Sequence, residues 1–247
     1  MEGKKMRGQY FQKLNSLIAQ IEQTQGEAMG EAAQAIASAM AAGKCVHLFD
    51  TGHMLDSELV NRAGGLTAFR ALRFQFDVNN EVREREEEKE KDRSLEGLME
   101  YVLRASRLLP GDVLIVGSVS GKTVFPVDIA LRAKRMGAYV IALTSVTYSS
   151  QLKSEHSSGK RLFEVADLVI DNCAPPLDAM LEVRELNASI CPASGIAAAS
   201  IMWAIEAEVV ELLLRRNLKP SVLKSINFPG SAEYNETAYQ AYATTSC

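Results

Sequence analysis

Hydroxyl and glycine residues follow one apolar segment of this chain in a spacing suited to holding an anion. After the Pro110-Gly111 turn, residues 112–117 form an apolar strand pattern that breaks into Ser118, Ser120 and Gly121, where a helical pattern takes over. A strand, a glycine-containing turn and a helix start together direct unpaired N–H groups and the positive end of a helix at one point. The predicted chemistry of residues 112–123 is therefore anion binding.

Three interpretations of residues 118–123 compete. In the first, the serines only cap the following helix, which is a common arrangement. In the second, Gly121-Lys122-Thr123 ends a mononucleotide P-loop, but Gly117 and Gly121 enclose three residues where that motif has four, and GxGxxG is absent as well. The third interpretation is a phosphate-binding Ser-x-Ser-Gly loop.

Two further strand patterns end in polar residues. Residues 44–49 form a buried strand pattern that leads into residues 50–53, and residues 138–143 lead into Thr144 and Ser145. The alternation of strand and helix patterns predicts a parallel sheet with helices on both faces. Ligands of such sheets bind at the carboxyl ends of the strands, so the loops after Phe49, Gly117 and Leu143 should open on one edge.

The remaining elements are predicted from apolar periodicity. Residues 10–40 should form one long helix or two, with a break between Gly26 and Gly30. Helices are expected at residues 54–62, 95–109, 122–136 and 194–216, and strands at 68–76, 166–170 and, as a short edge strand, 180–183. The charged run 81–93 indicates a solvated segment, and the tail from Ser221 is weakly patterned.

Composition narrows the class of protein. The 247 residues, 47% of them hydrophobic, are interpreted as one domain with an N-terminal helical segment (1–42), a core (43–217) and a tail (218–247). The net charge of -4 and the absence of a basic cluster interleaved with aromatics argue against nucleic acid. Neither a membrane span nor a secretion signal is evident, so we predict a cytoplasmic protein without bound metal or cofactor.

The motifs resemble those of a known family. The hydroxyl run Ser118, Ser120 and Thr123, followed by a helix, a strand and Leu143-Thr144-Ser145, resembles the sugar isomerase (SIS) domain, which binds phosphosugars. Residues 61–65, 156–162 and 164–167 resemble small bacterial SIS proteins related to phosphoheptose isomerase. The resemblance implies a three-layer αβα sandwich of flavodoxin-like type with a five-stranded parallel sheet, here preceded by the long N-terminal helix. It also implies at least a dimer, with ligand pockets near subunit boundaries.

Candidate ligand contacts follow from the resemblance position by position. The phosphate-binding positions are Ser118, Ser120, Gly121 and Thr123, and those expected to contact the rest of the substrate are Thr51, Gly52, His53, Lys122, Thr144 and Ser145. Lys122 as a solvated first-turn lysine and Thr144 and Ser145 as helix-capping residues remain alternatives.

Two residues are candidates for catalysis. Phosphosugar isomerases use a carboxylate to move a proton between neighbouring carbons through an enediol. Glu58 matches the Glu that phosphoheptose isomerase carries after its first loop, and Leu55 and Leu59 beside it could raise its basicity. His156, next to Glu155, is a candidate acid or hydroxyl donor. An exposed helical Glu and a structural loop His are the alternatives.

Two departures from the family pattern weaken the case for catalysis more than the case for phosphosugar binding. The loop after Phe49 is about two residues shorter than in related SIS proteins and lacks a serine that helps bind phosphate there, while Asp50 adds a negative charge. The histidine that phosphoheptose isomerase places near its last core helix is also absent. The sequence therefore favours a phosphosugar isomerase, with a non-catalytic phosphosugar-sensing module or an amino-sugar phosphate lyase (etherase) as alternatives, and a homodimer or larger assembly in each case.

Overall fold

A five-stranded parallel sheet forms the centre of the molecule. The computed structural model describes residues 5–52, 54–79, 81, 83 and 95–245. The strands are β1 (Val46–Asp50), β2 (Phe69–Ala71), β3 (Val113–Gly117), β4 (Tyr139–Thr144) and β5 (Leu168–Asp171), in the spatial order β2-β1-β3-β4-β5. Every ladder is parallel, which confirms the predicted sheet.

The strand order reverses between β1 and β3. The chain passes from β1 outward to β2 and then returns to the other side of β1 with β3. Asp50 is level with Gly117, and Gly117 is level with Leu143, so the loops after β1, β3 and β4 leave the same edge. Ligands of open parallel sheets bind in the crevice at such a reversal point.

Helices cover both faces of the sheet. They are α1 (Met6–Ala41), α2 (Asp56–Leu59), α3 (Leu98–Ala105), α4 (Val124–Arg135), α5 (Val146–Ser149), α6 (Ser194–Arg215) and α7 (Ser231–Thr245). Helices α1 and α6 pack together on one face, and α3 and α4 pack on the other. This arrangement is the expected αβα sandwich. Within the described ranges, no helix is long and apolar enough to cross a bilayer.

Alternating side chains of the strands build two separate cores. In β3, Val113 and Ile115 join the core beneath α1 and α6, whereas Leu114 and Val116 join the core beneath α3 and α4. All four are buried. Each fully buried aliphatic side chain contributes about 1.5–3 kcal/mol, so strands that are apolar on both faces anchor the sheet between its helical layers.

The N-terminal helix does not break at its glycines. Helix α1 runs without interruption through Gly26 and Gly30, so the alternative of two helices is wrong. Its C-terminal half buries Ala33, Ile36 and Met40 against the core. This packing outweighs the helix propensity that each glycine loses, which is about 1 kcal/mol.

Helix α2 is shorter than predicted. The helix expected at residues 54–62 spans only Asp56–Leu59, because Val60 is extended and Asn61 adopts a left-handed φ of 58°. Left-handed backbone does not continue an α-helix, and Asn tolerates it better than most residues.

The C-terminal part of the chain holds two elements that the sequence pattern did not indicate, the second strand of a hairpin and the last helix. The strand expected at the sheet edge is β6 (Ala179–Val183), which instead pairs with β7 (Ala188–Pro192) in a separate antiparallel hairpin. The weakly patterned tail contains helix α7. Backbone hydrogen bonds between Gly65 and Leu223 and between Thr67 and Ser221 attach this tail near β2.

Candidate functional site

The serine loop, residues 118–123, connects β3 to α4 at the reversal point of the sheet. The Ser118 N–H donates to the Leu143 carbonyl oxygen over 3.1 Å, which fixes the start of the loop against β4. Thr123 stands at the N-cap of α4, which has 12 residues and therefore a developed dipole. The loop is thus rigidly placed at the positive end of a helix.

Gly121 allows the serine loop to pack closely against its neighbours. Its φ is +55°, and a Cβ there would lie 3.1 Å from both Leu162 Cβ and Thr144 Oγ1. Its carbonyl oxygen accepts the Leu162 N–H over 2.8 Å. Both the backbone conformation and the close approach require glycine, as the sequence pattern indicated.

The serine loop presents unused hydrogen-bond donors. Among the described residues, none accepts a hydrogen bond from the backbone N–H groups of residues 119–123. The hydroxyls of Ser118, Ser120 and Thr123 likewise have no hydrogen-bond partner in the described part of the chain, and Thr123 does not cap α4 with its side chain. Backbone and hydroxyl donors converging at a helix N-terminus are the arrangement that binds phosphate in proteins.

A cavity of about 840 Å³ opens over this loop and is called the serine-loop cavity. Its polar lining includes Thr51, Ser118, Ser120, Thr123, Glu155 and Asp178. Phe125 and Tyr148 supply aromatic walls. The structure therefore brings together four of the predicted binding residues, three from the serine loop and one from the loop after β1.

Asp50 does not line the serine-loop cavity, and its charge is taken up by the first loop. Its carboxylate accepts hydrogen bonds from the backbone N–H groups of Gly52, Met54 and Leu55, and so closes the first loop on itself. The Gly52 N–H is thereby engaged, whereas Thr51 lines the cavity. His53, a predicted contact, lies outside the described residues.

Thr144 and Ser145 are buried and hydrogen-bonded within the protein. The Thr144 hydroxyl donates to the Val119 carbonyl oxygen over 3.1 Å, which braces the serine loop. The Ser145 hydroxyl donates to the Ala174 carbonyl oxygen over 2.7 Å and accepts the Tyr148 N–H over 3.2 Å. Neither side chain lines the serine-loop cavity, so their observed contacts are those of supporting and capping residues.

Lys122 points toward a carboxylate of the following loop. Its ammonium group forms an ion pair with Glu155, and its carbonyl oxygen accepts the Glu155 N–H over 2.9 Å. This pairing neutralises the lysine locally and ties the loop after α5 to the serine loop. Lys122 does not line the cavity, whereas Glu155 does.

His156 is enclosed between carboxylates. Its side chain is 6% exposed, and its Nε2 atom lies 3.2 Å from Glu96 Oε1 and 3.6 Å from Asp128 Oδ1, without the alignment of a hydrogen bond. Its Nδ1 atom accepts the Ser158 N–H over 3.0 Å, so a neutral ring carries its proton on Nε2, facing the carboxylates. His156 holds the loop after α5 and does not line the serine-loop cavity.

Glu58 lies on α2, near the cavity but not in its lining. Its carboxylate forms an ion pair with Arg62 over 3.1 Å and is 37% exposed. The flanking Leu55 and Leu59 are buried as expected. Within one chain, the structure therefore does not bring Glu58 together with the serine loop.

Comparisons with known proteins identify the family. A family model described as the SIS domain matches residues 9–145, more than half of the chain. This chain belongs to the SIS domain family. A UPF0309 protein of Shouchella clausii is 35% identical to it over 236 residues, covering 95% of each chain. A UPF0309 protein of Geobacillus kaustophilus is 33% identical over 239 residues, covering 96% of this chain and 94% of the relative.

The fold of the SIS domain protein is shared with a solved structure. A phosphoheptose isomerase from Francisella tularensis superimposes with a TM-score of 0.51 at 15% sequence identity. The match covers 85% of this chain and all of the isomerase chain. At that identity, the likeness establishes the fold.

Several residues in the cavity of this SIS domain protein were not predicted. They include Tyr148, Phe125, Leu177 and Asp178. The Asp178 carboxylate accepts hydrogen bonds from the Ser194 N–H over 2.8 Å and the Ser194 hydroxyl over 2.7 Å, and so caps α6 from a distant turn. No local pattern reveals such a contact, whereas Tyr148 follows the Ser145 cap at the spacing typical of a first helical turn. In the described part of the chain, no group of three or more His, Cys, Asp or Glu side chains is placed to hold a metal ion.

Proposed function

We propose that this SIS domain protein binds a phosphosugar, with the phosphate on the serine loop. The observation that carries the proposal is the set of unpaired donors at the N-terminus of α4, from the backbone of residues 119–123 and the hydroxyls of Ser118, Ser120 and Thr123. Lys122 is paired with Glu155, so these donors carry the proposed phosphate contact without a free lysine. This favours a phosphate monoester over a nucleotide held by a P-loop lysine.

The rest of the cavity suits a polyhydroxylated ligand. Thr51, Tyr148 and Glu155 line it beyond the serine loop and offer hydroxyl and carboxylate groups to sugar hydroxyls. In this proposal Thr144, Ser145 and Gly121 shape the loop, while Thr51 contacts the sugar. The structural neighbour from Francisella tularensis is a phosphoheptose isomerase, which supports a sugar phosphate as the ligand class.

The binding proposal is tested with a panel of sugar phosphates. We expect at least one to raise the melting temperature of the protein, because a ligand of the native state stabilises it by mass action. Ser120→Ala should weaken that ligand by roughly 10-fold or more, since a hydrogen bond to a charged group contributes about 1.5–3 kcal/mol. Ser16→Ala, at an exposed hydroxyl of α1, is the matched control. A normally folded protein that no sugar phosphate stabilises would refute the proposal.

We further propose phosphosugar isomerisation with Glu58 as the base. What favours it is the position of α2 immediately after the first loop, whose Thr51 lines the cavity. Glu58 would remove a proton from the carbon beside the substrate carbonyl, giving an enediol, and return it to the neighbouring carbon. Because Glu58 does not line the cavity within one chain, this proposal requires a pocket completed at a subunit boundary.

A phosphosugar-sensing module is the competing function. Within the described lining of the cavity, the two carboxylates are already engaged: Glu155 pairs with Lys122, and Asp178 caps α6. A site built this way binds a phosphosugar without supplying a free base. An amino-sugar phosphate lyase would use the same phosphate contacts with a different fate for the enediol.

Isotope exchange separates these functions. An isomerase should incorporate deuterium from solvent into the bound sugar phosphate, and Glu58→Gln should abolish the exchange while leaving phosphate binding intact. Glu211→Gln, at another exposed ion-paired glutamate, is the control. Exchange that persists in Glu58→Gln would remove Glu58 from the role. Tight binding with no exchange in the unmodified protein would favour the sensing module.

A further inference from the structure

A second cavity of about 840 Å³ lies on the other side of β1 from the serine loop, beside the edge strand β2. Its walls come from β2 and the residues after it, from α3 and from α7. It is called the arginine cavity here because Arg70, Arg73 and Arg107 line it. It shares no lining residue with the serine-loop cavity.

The arginine cavity is positively charged. Among its described lining residues there is no Asp or Glu. Arg73 is neutralised by Asp56 over 2.7 Å, but Arg70 and Arg107 have no carboxylate partner in the described part of the chain. Two guanidinium groups without a carboxylate partner among the described residues give this concave site a local positive charge that favours an anion.

Arg70 is held in place by aromatic rings. Its guanidinium carbon lies 5.1 Å from the ring centroids of both Tyr239 and Tyr242, which belong to α7. Such contacts orient the guanidinium without neutralising it. Burial raises the pKa of Tyr242 to about 12, so its phenol stays protonated and adds no negative charge. A guanidinium held by Tyr239 and Tyr242, with no carboxylate partner in the described part of the chain, is suited to bidentate recognition of a phosphate or carboxylate.

Aromatic rings form part of the remaining walls. Phe74, Phe76 and Tyr101 line the cavity, and Tyr101 is 72% exposed while Phe76 is 54% exposed. Together with the two tyrosines of α7, they offer flat apolar surfaces next to the arginines. Stacking on such surfaces favours a planar ring.

We propose that the arginine cavity binds a small aromatic anion, with its phosphate or carboxylate on Arg70 and Arg107 and its ring against the aromatic walls. The site is distinct from the proposed phosphosugar site. Arg70 is level with His47 of β1 and so with Leu114 of β3, three residues before the end of β3 that carries the serine loop, a displacement of about 10 Å along the strands. A smaller cavity of about 320 Å³ lies between the two sites, since it shares Phe74 with the arginine cavity and Phe125 with the serine-loop cavity, and these two rings are in edge-to-face contact at 5.8 Å.

The proposal is tested by titrating the full-length protein with adenosine monophosphate, phenyl phosphate and benzoate in a calorimeter. At least one should bind at least 10-fold more tightly than inorganic phosphate or adenosine alone, since the site requires both a ring and a charge. A preference for adenosine monophosphate would assign the site to nucleoside phosphates, and a preference for phenyl phosphate or benzoate to simpler aryl anions.

Matched arginine variants locate the bound ion. Arg70→Lys and Arg107→Gln should each weaken binding at least 10-fold in protein that still unfolds cooperatively, and Arg107→Gln should do so with an unchanged melting temperature of the free protein, whereas Arg104→Gln, an exposed and ion-paired arginine of α3, should leave binding unchanged. The proposal is overturned if no aromatic anion binds, if inorganic phosphate binds equally well, or if the two variants bind normally. An equal loss in Ser120→Ala would place the ion on the serine loop and overturn it too.

Discussion

Gly121 has a left-handed backbone conformation, and replacing it should reduce both the stability of the protein and its binding of a phosphosugar. We expect Gly121→Ala to lower the free energy of unfolding by about 2–3 kcal/mol, because a Cβ at φ +55° is strained and would press on Leu162 and Thr144. It should also abolish phosphosugar binding, since the serine loop must shift. Urea denaturation and the thermal-shift panel measure the two effects.

Gly159→Ala separates strain from crowding. Gly159 has a φ of +70°, but nothing lies within 4 Å of a Cβ built there. This variant should lose only about 1 kcal/mol, the cost of left-handed backbone for alanine. Equal losses in the two variants would show that the contacts with Leu162 and Thr144 do not matter.

Glu206 should make the stability of the protein depend on pH. It is a buried residue of α6, and burial raises its pKa to about 7, against the smaller opposite effect of a hydrogen bond from the Leu66 N–H. Between about pH 4.5 and 7 the folded state retains a proton that the unfolded state releases, so stability falls as pH rises through this window. The loss has an upper limit of about 3 kcal/mol.

Glu206→Gln keeps a hydrogen-bond acceptor but cannot ionise. Its free energy of unfolding, measured by urea denaturation from pH 4.5 to 8, should decline less over this window than that of the unmodified protein, and the variant should be the more stable one at pH 8. Glu208→Gln, at an exposed neighbour on the same helix, should follow the unmodified profile. Identical profiles for all three proteins would contradict the assignment.

At the residue level, the sequence predicted the placement of those residues whose positions depend on local spacing alone. Ser118, Ser120 and Thr123 were identified because a strand, a turn and a helix start place them on one loop without help from distant residues. The position of Asp178 depends on its contact with Ser194, 16 residues away, and that of His156 on Glu96 and Asp128. Such contacts arise only once the chain is folded, so spacing alone did not indicate them.

Among the elements, α1 offers a simple route to higher stability. Gly26 lies within this 36-residue helix, with nothing within 4 Å of a Cβ built on it. Gly26→Ala should raise the free energy of unfolding by about 0.5–1 kcal/mol, because alanine loses less conformational entropy in a helix. Thermal and urea denaturation measure the gain.

Gly64→Ala is the opposite case. Gly64 also has open space around its Cβ position, but its φ is +88°. This variant should be destabilised by about 1 kcal/mol, since alanine disfavours that backbone conformation.

A loss of stability in Gly26→Ala, in place of the expected gain, would indicate that α1 needs its glycine for a contact outside a single chain.

The elements that the sequence missed lack the signals on which prediction rests. Strand β7 is short, contains Cys191 at a left-handed φ of 64° and ends at Pro192, so it shows no clear alternation. Helix α7 has few aliphatic residues, and part of its attachment comes from Tyr239 and Tyr242 around Arg70. The strands of the main sheet, by contrast, are mostly apolar runs bounded by turns, which local pattern identifies, although the strand predicted at 68–76 spans only Phe69–Ala71.

For the whole molecule, we predict a homodimer. Exposed apolar side chains remain on α1 at Phe11, on the hairpin at Ile190 and on α6 at Ile196, with exposed fractions of 55%, 36% and 38%. A partner subunit covering them would bury apolar surface that a single chain leaves in water. Light scattering at micromolar concentration should give twice the chain mass of 27.0 kDa.

Charged substitutions locate the interface. Ile196→Glu should shift the protein toward the monomer, whereas Leu109→Glu, at a 62% exposed residue just before β3, should leave the dimer intact. A monomeric unmodified protein would refute the prediction and would remove the subunit boundary that the Glu58 proposal requires.

The Asp50 carboxylate competes with any anionic ligand for the backbone N–H groups of the first loop. Its carboxylate already satisfies the Gly52, Met54 and Leu55 N–H groups, the kind of donors that would otherwise attract a ligand's anionic group. A group tethered this closely has an effective concentration on the order of millimolar or more at its own loop. If the protein binds phosphosugars as proposed, these ligands gain nothing from the first-loop donors, and the serine loop should determine their affinity.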